Sequence, residues 1–241
     1  MWAELRELRD HLDLGTPPRD GEPVTLTIDD QTVTVPAGSS IMLAAARVGR
    51  KVPKLCATDT LEPFGSCRVC LVEIEGRRGY PASCTTPVEA GMRVRTESAP
   101  LAALRRGVLE LYLSDFPAGD IPEGWSEFHE TLAQCGVSGH PYGAGRDHQH
   151  APVDVSNPYF LFDPAKCIVC SRCVRACEEI QGTFALTVAG RGFESRIAAG
   201  QDQPFFESDC VSCGACVQAC PSQALVEKSL FEEEYRHAES R

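Results

Sequence analysis

No stretch of this sequence approaches the run of about eighteen apolar residues that a membrane span requires. The best candidate, Ile41 to Val48, is broken by Arg47. Positive charge is also scarce. Against 34 Asp and Glu stand 23 Lys and Arg, a formal net charge of -11, which argues against a grip on phosphate backbones and leaves nucleic acid out of the expected partners. The opening Met1 to Leu14 is too acidic for a transit peptide and lacks the apolar centre of a signal peptide, so a cytoplasmic protein is expected. No Ser-His-Asp set, phosphate-cradling glycine loop or flavin fingerprint is present to transform a substrate. What remains is a chain of 241 residues, 43% hydrophobic and 24% charged, enough for one or two small domains with modest cores.

Cysteine, by contrast, is abundant, with thirteen residues. An odd count, no export signal and gaps of two or three residues fit metal ligation better than a disulfide framework. Cys167, Cys170, Cys173 and Cys177 recur as Cys210, Cys213, Cys216 and Cys220, each displaced by 43 residues, and Val174 and Ala176 return as Val217 and Ala219. A small unit has been duplicated. Each copy reads C-x2-C-x2-C-x3-C, and Pro221 closes the second, which is the spacing of bacterial two-cluster ferredoxins. Three thiolates at such close intervals wrap three corners of a cubane, while the fourth is carried off on the following helix to the other cluster. Cys167, Cys170, Cys173 and Cys220 are therefore assigned to one [4Fe-4S] cluster, and Cys177, Cys210, Cys213 and Cys216 to a second. Gly214 and Ala215 suit a tight loop around sulfur; Ser171 and Arg172 hold those places in the first copy and give its cluster a different field. Two four-cysteine zinc sites are the competing reading, although zinc usually takes separated C-x2-C pairs.

An earlier group, Cys56, Cys67, Cys70 and Cys84, has the spacing C-x10-C-x2-C-x13-C. One C-x2-C pair flanked by two distant cysteines fits a [2Fe-2S] cluster gripped by a loop and one later residue, with Gly65 in Phe64-Gly65-Ser66 allowing close backbone approach. The spacing departs from the plant-type C-x4-C-x2-C, and zinc or unrelated structural cysteines stay open on spacing alone. Cys135 is left over, in a stretch with His129, His140, His148 and His150. The irregular gaps there favour a polar linker with a spare thiol over a further metal site.

Around these groups the pattern is that of small α+β units. Trp2, Leu5, Leu8 and Leu12 recur at helical spacing, predicting an amphipathic helix ended by Gly15 and Pro17-Pro18. Alternation from Val24 to Val35 about Asp29-Asp30 predicts a hairpin, and Ser39-Ser40 caps a helix through Val48. Strand signals return at Val69 to Ile74 and Met92 to Thr96, and Leu101 to Leu113 reads as helix. Periodicity then fades until Pro158 in a linker of weak structure. The expected organisation is an N-terminal helix (1–21), a [2Fe-2S] ferredoxin-like domain (22–98), a helical and His-rich linker (99–157), a two-[4Fe-4S] ferredoxin domain (158–230) and an acidic tail (231–241).

The segment CIVCSRCVRACEEIQGTFALTVAGRGFESRI, running into DCVSCGACVQACPSQAL, together with the earlier C-x10-C-x2-C-x13-C, resembles a known family. Over about residues 22–230 the chain is similar to the iron–sulfur N-terminal region of NAD-dependent molybdenum or tungsten formate dehydrogenase alpha subunits. Their relatives are the large complex I iron–sulfur subunit and the small diaphorase subunit of NAD-reducing hydrogenases. The resemblance implies a β-grasp [2Fe-2S] domain, a helical connector and a βαββαβ-like bacterial-type two-[4Fe-4S] domain. It also implies a cytoplasmic relay subunit between a molybdenum- or tungsten-pterin catalytic subunit and an FMN/NAD-binding iron–sulfur subunit. Two departures matter. The family usually carries a histidine and three cysteines between these domains for another [4Fe-4S] cluster, whereas His129 and Cys135 alone stand there, so that cluster is expected to be absent. A family member would also continue into a pterin-binding body, whereas this sequence stops at Arg241, so a separately encoded relay arm is expected. The diaphorase subunit of a hydrogenase is a rival from the same class. A freely diffusing multi-cluster ferredoxin is a rival from another, favoured by the acidic surface; the N-terminal helix and long linker favour a subunit.

Overall fold

The computed structural model describes residues 13–117, 126–143 and 152–229. The chain divides into two compact units, one running to Leu109 with Gln134–Gly136 added, the other comprising Glu110–Ala133 and the chain from Val137 onward. Among the described residues no helix is long and apolar enough to cross a membrane.

In the first unit, strands β1 (Pro23–Ile28) and β2 (Gln31–Pro36) form the expected hairpin, with Ile28 opposite Gln31. The two-residue turn puts both Asp29 and Asp30 at positive φ, 44° and 64°, the twist that suits a tight hairpin and that Asp tolerates. Asp29 is held there by accepting from the Thr96 backbone N–H at 2.7 Å. Helix α1 (Ile41–Arg47) starts where its cap predicts, the Ser40 hydroxyl accepting from the Leu43 N–H at 3.0 Å. Strands β3 (Glu73–Ile74) and β4 (Arg93–Arg95) complete a mixed sheet of order β2-β1-β4-β3, in which β1 and β4 run parallel. Leu26, Ile28, Val33 and Val35 point from the hairpin onto Ile41, Leu43 and Val94 in one core.

One expectation needs correction here. The strand predicted over Val69 to Ile74 shrinks to Glu73–Ile74. Its first half is bent around the cysteines, with Arg68 in the left-handed region at φ 57°, so cysteine-loop geometry overrides a β-prone sequence. The predicted N-terminal helix lies almost wholly in residues 1–12, outside the described residues; from Asp13 to Gly21 the chain is non-helical. Helix α2 (Ala99–Ser114) matches its apolar spacing.

The linker reading also needs correction. A further helix, α3 (Glu127–Gln134), interrupts it in the second unit, with Phe128 fully buried. The Phe128 ring lies 5.0 Å from that of Phe116 and 6.4 Å from that of Tyr112, and its N–H donates to Pro221 O at 2.9 Å. The helix has barely two turns and a short apolar face, too little periodic signal amid neighbouring Pro and Gly. Beyond it the elements run in the order β5 (Phe160–Phe162), α4 (Arg172–Arg175), β6 (Leu186–Ala189), β7 (Arg196–Ala199), α5 (Ala215–Ala219) and β8 (Leu225–Glu227). β5 pairs antiparallel with β8, and β6 with β7. The pairing of the outermost strands brings the two duplicated halves into one core, where Phe160 and Phe162 pack on Phe205 and on Cys173, Cys177 and Cys216.

Candidate iron–sulfur sites

Cys56, Cys67, Cys70 and Cys84 meet in the first unit, all of them buried. The loop that carries them turns at Gly65, with φ 74°, where an added Cβ would sit 3.0 Å from Thr85 Cγ2. The Cys67 N–H points at Cys56 Sγ at 3.5 Å, and the Cys70 and Cys84 sulfurs lie 3.4 Å apart. A backbone bond from Ser83 N–H to Cys70 O, at 2.9 Å, fixes the distant fourth cysteine beside the C-x2-C pair. Without metal the four thiols cannot share one protonation state. Donation by Cys67, then by Cys84, holds Cys56 well below an ordinary thiol, and donation by Cys84 lowers Cys70 to about 7. Cys67 is pushed up chiefly by its bond to Cys56, and Cys84 by its bonds to Cys56 and Cys70. Iron binding would displace the protons still shared in this nest, since only thiolates ligate.

Arg105 was not singled out by the motifs. It is buried and donates to Leu71 O at 2.7 Å and to Thr96 O at 2.8 Å, tying helix α2 to the loop that follows Cys70. Its signal was a charge on an otherwise apolar stripe, between the buried Leu101 and Leu109.

In the second unit the duplicated cysteines line two separate cavities. One is walled by Cys167, Cys170, Cys173 and Cys220 with Ile197 and Leu225. The other is walled by Cys177, Cys210, Cys213 and Cys216 with Phe160 and Phe205. Cys177 and Cys220, the last cysteine of each run, thus sit across from the runs they belong to. Cys177 is carried there by a π-helical turn, Ala176–Gln181, that follows α4. Such turns widen a helix and re-aim a side chain.

The loops repeat one another in backbone conformation. Val169 and Ser171 have φ of 48° and 63°, and their counterparts Ser212 and Gly214 have 56° and 78°. A β-branched residue in the left-handed region is strained and persists only where its surroundings fix it. Here the strain turns N–H groups toward sulfur: Val169 N–H to Cys167 Sγ and Ser212 N–H to Cys210 Sγ, both at 3.4 Å. Burial pushes the Cys167 and Cys173 thiols up, and neighbouring cysteines push in the same direction. Burial likewise raises Cys216 to about 12. Four cysteines on the wall of each cavity are a donor set that fits an iron–sulfur group.

Cys135 and His129 join none of these sets. Cys135 is half-buried, and burial raises its thiol against the opposing pull of Arg105. His129 packs edge-on to Phe116 and Phe128, with Nδ1 2.7 Å from Ser126 Oγ, and burial lowers its pKa. His140 stacks on Tyr142. His148 and His150 lie outside the described residues.

Comparison with known proteins agrees with this division. Residues 21–99 match the family described as a 2Fe-2S iron-sulfur cluster binding domain, and residues 166–224 match the 4Fe-4S dicluster domain. The chain carries a [2Fe-2S] cluster-binding domain and a [4Fe-4S] dicluster domain. Among curated proteins, this iron–sulfur protein is 38% identical over 212 residues to the NADP-reducing hydrogenase subunit HndD of Solidesulfovibrio fructosivorans, covering 85% of its own length and 36% of the relative. It is 33% identical over 207 residues to an NADH-quinone oxidoreductase component of Rhizobium meliloti, covering 84% and 24%. It thus spans about a third and about a quarter of the length of these two curated relatives. Among solved structures it is similar to a chain of an NAD+-reducing [NiFe]-hydrogenase in the H2-reduced state, with a TM-score of 0.72 and 29% identity over 86% of its own length and 88% of that chain.

Proposed function

We propose that this iron–sulfur protein is an electron-relay subunit of an NAD(P)-linked oxidoreductase complex and transforms no substrate itself. The observation that carries the reading is the exchange of the fourth cysteines: Cys220 lines the cavity of Cys167, Cys170 and Cys173, and Cys177 that of Cys210, Cys213 and Cys216. On this reading those two sets hold the two [4Fe-4S] clusters, and Cys56, Cys67, Cys70 and Cys84 hold the [2Fe-2S] cluster. When bound, each cluster takes up and releases one electron. The chain's own residues hold the metals, aim N–H groups at sulfur through the left-handed loops, and exclude water with Phe160, Phe162 and Phe205. The sheet order β2-β1-β4-β3, with its parallel central pair, supports a β-grasp reading of the first unit.

The partners follow from the relatives. The leading assembly places the chain between a molybdenum- or tungsten-pterin formate dehydrogenase subunit and an FMN/NAD-binding subunit in the cytoplasm. It is supported by the resemblance carried by the second cysteine region and by 29% identity to a Staphylococcus aureus protein whose formate dehydrogenase name is itself provisional. The diaphorase position of a hydrogenase is supported by the two hydrogenase relatives. Gentle purification of the tagged chain tests the proposal. A relay subunit elutes with a pterin- or hydrogen-activating subunit, and formate- or hydrogen-dependent NAD reduction in that fraction separates the two assemblies. Elution alone near 26.2 kDa would favour a free carrier instead.

A further inference from the structure

The duplication supplies its own internal control. At the 43-residue offset, Lys166, Arg172 and Arg175 of the first copy correspond to Asp209, Ala215 and Gln218 of the second. The exchange of the fourth cysteine sharpens the contrast. Glu178 and Glu179 follow Cys177, which lines the second cavity, so the cysteines of that cavity are flanked by Asp209, Glu178 and Glu179. Those of the first are flanked by Lys166 and Arg172, while Arg175 stands two residues from Cys173 and two from Cys177 and so flanks both.

Burial decides which of these charges count. Glu178, Glu179 and Asp209 are exposed, and water and salt screen them. Lys166 is half-buried and lies 3.7 Å from Asp163. Arg172 is 2% exposed and Arg175 is 7% exposed, where a charge acts at a lower effective dielectric. Arg172 also lies between two ligand segments. It precedes Cys173 directly, and its Nη1 is 3.4 Å from the carbonyl oxygen of Ala219, the residue before Cys220. The same nitrogen is 2.9 Å from Glu127 Oε2, at the start of α3, whose next residue, Phe128, binds Pro221 just after Cys220. Helix α3 therefore clamps the exchanged ligand and brings a carboxylate to the buried guanidinium.

A cluster gains one negative charge on reduction, so a nearby buried cation favours the reduced form and a nearby carboxylate opposes it. We infer that the two four-iron sites are electrostatically polarised: Arg172 makes the site of Cys167, Cys170, Cys173 and Cys220 the higher-potential, electron-retaining member of the pair, and Glu127 trims that field. The inference rests on the ligand sets proposed above. An electron supplied to the pair by a low-potential reductant such as dithionite settles on the first site, the buried guanidinium outweighing the solvation that the exposed Cys213 gives the second.

The test is a potentiometric titration of the full, cluster-loaded chain followed by electron paramagnetic resonance. Cys213→Ser, which alters the second site alone, assigns the signals. In the wild-type chain the first site is expected to reduce at the higher potential. Arg172→Gln should lower the first site's reduced-to-oxidised ratio at its wild-type midpoint roughly tenfold, a shift of about 59 mV for a one-electron couple. Glu127→Gln should move it the opposite way, and the second site should hold its midpoint in both. A merely structural role for the Glu127–Arg172 pair would loosen the cluster in both variants without opposite shifts. If Arg172→Gln fails to retain its cluster, Glu127→Gln, expected to raise the first site's potential, still carries the test. A higher potential at the second site, or a first site whose potential Glu127→Gln leaves in place or lowers, overturns the inference and leaves the ligand sets standing. A wild-type chain that loads without two [4Fe-4S] signals overturns the ligand sets and the inference together.

Discussion

Replacing Cys220 by alanine is expected to abolish the [4Fe-4S] signal of the site formed by Cys167, Cys170 and Cys173, some fifty residues upstream, and to spare the site of Cys210, Cys213 and Cys216. The reason is geometric. The first cavity is lined by Cys220 and by no other cysteine of the second run. Helix α5 ends at Ala219, and the segment Ala219–Pro221 is held by Arg172 and by the Phe128 N–H. Removing one of four thiolates leaves an iron without a protein ligand, and cluster binding is coupled to local folding. Iron, about ten atoms per chain in the intact protein, should fall by up to about four. Cys177→Ala is the mirror experiment and should strike the second site. Loss of the second cluster in Cys220→Ala would mean that each run ligates its own cluster.

The second large effect is confined to the first unit. Cys67→Ala should remove the [2Fe-2S] signal, because Cys67 is one of four converging thiols, its N–H directed at Cys56 and its thiol sharing a proton with it. The two units have separate cores, so both [4Fe-4S] signals should survive. In the purified complex, dye reduction at the catalytic subunit should be retained better than electron delivery to NAD if the [2Fe-2S] cluster lies on the through-path. Equal retention of the two activities would make that cluster a structural element or a side branch.

Much of this molecule was legible in its sequence, and the reason differs from element to element. The hairpin of Val24 to Val35 and the helix capped by Ser40 were readable because period-two alternation, a two-residue Asp turn and a hydroxyl cap are local signals that the surrounding fold does not contradict. The spacing of the runs led to the expectation that Cys177 and Cys220 face the opposite halves, and the two cavities have that lining; that these thiols ligate there is the proposal that Cys220→Ala tests. The strand over Val69 to Ile74 was over-read because its residues favour β structure while Cys67 and Cys70 require a loop, and the loop prevailed. Helix α3 escaped notice because Phe128, Thr131 and Leu132 make only a two-turn apolar face. With it went the Glu127–Arg172 pair, whose members lie 45 residues apart in sequence and meet only in the folded unit. Arg105 was visible only as an oddity, a charge on the buried stripe of α2; its partners, two backbone carbonyls, leave no trace in side-chain identity.

The central claim, that this chain stores and passes single electrons on three centres and performs no other chemistry, is tested most directly by a reductive titration of the purified, fully loaded chain, counting electrons against iron. The account predicts uptake of about three electrons and about ten irons per chain, with one [2Fe-2S] and two [4Fe-4S] signals, and no reduction of NAD by formate or hydrogen. Zinc in place of iron, uptake of a single electron by a fully loaded chain, or NAD reduction by the isolated chain would contradict it.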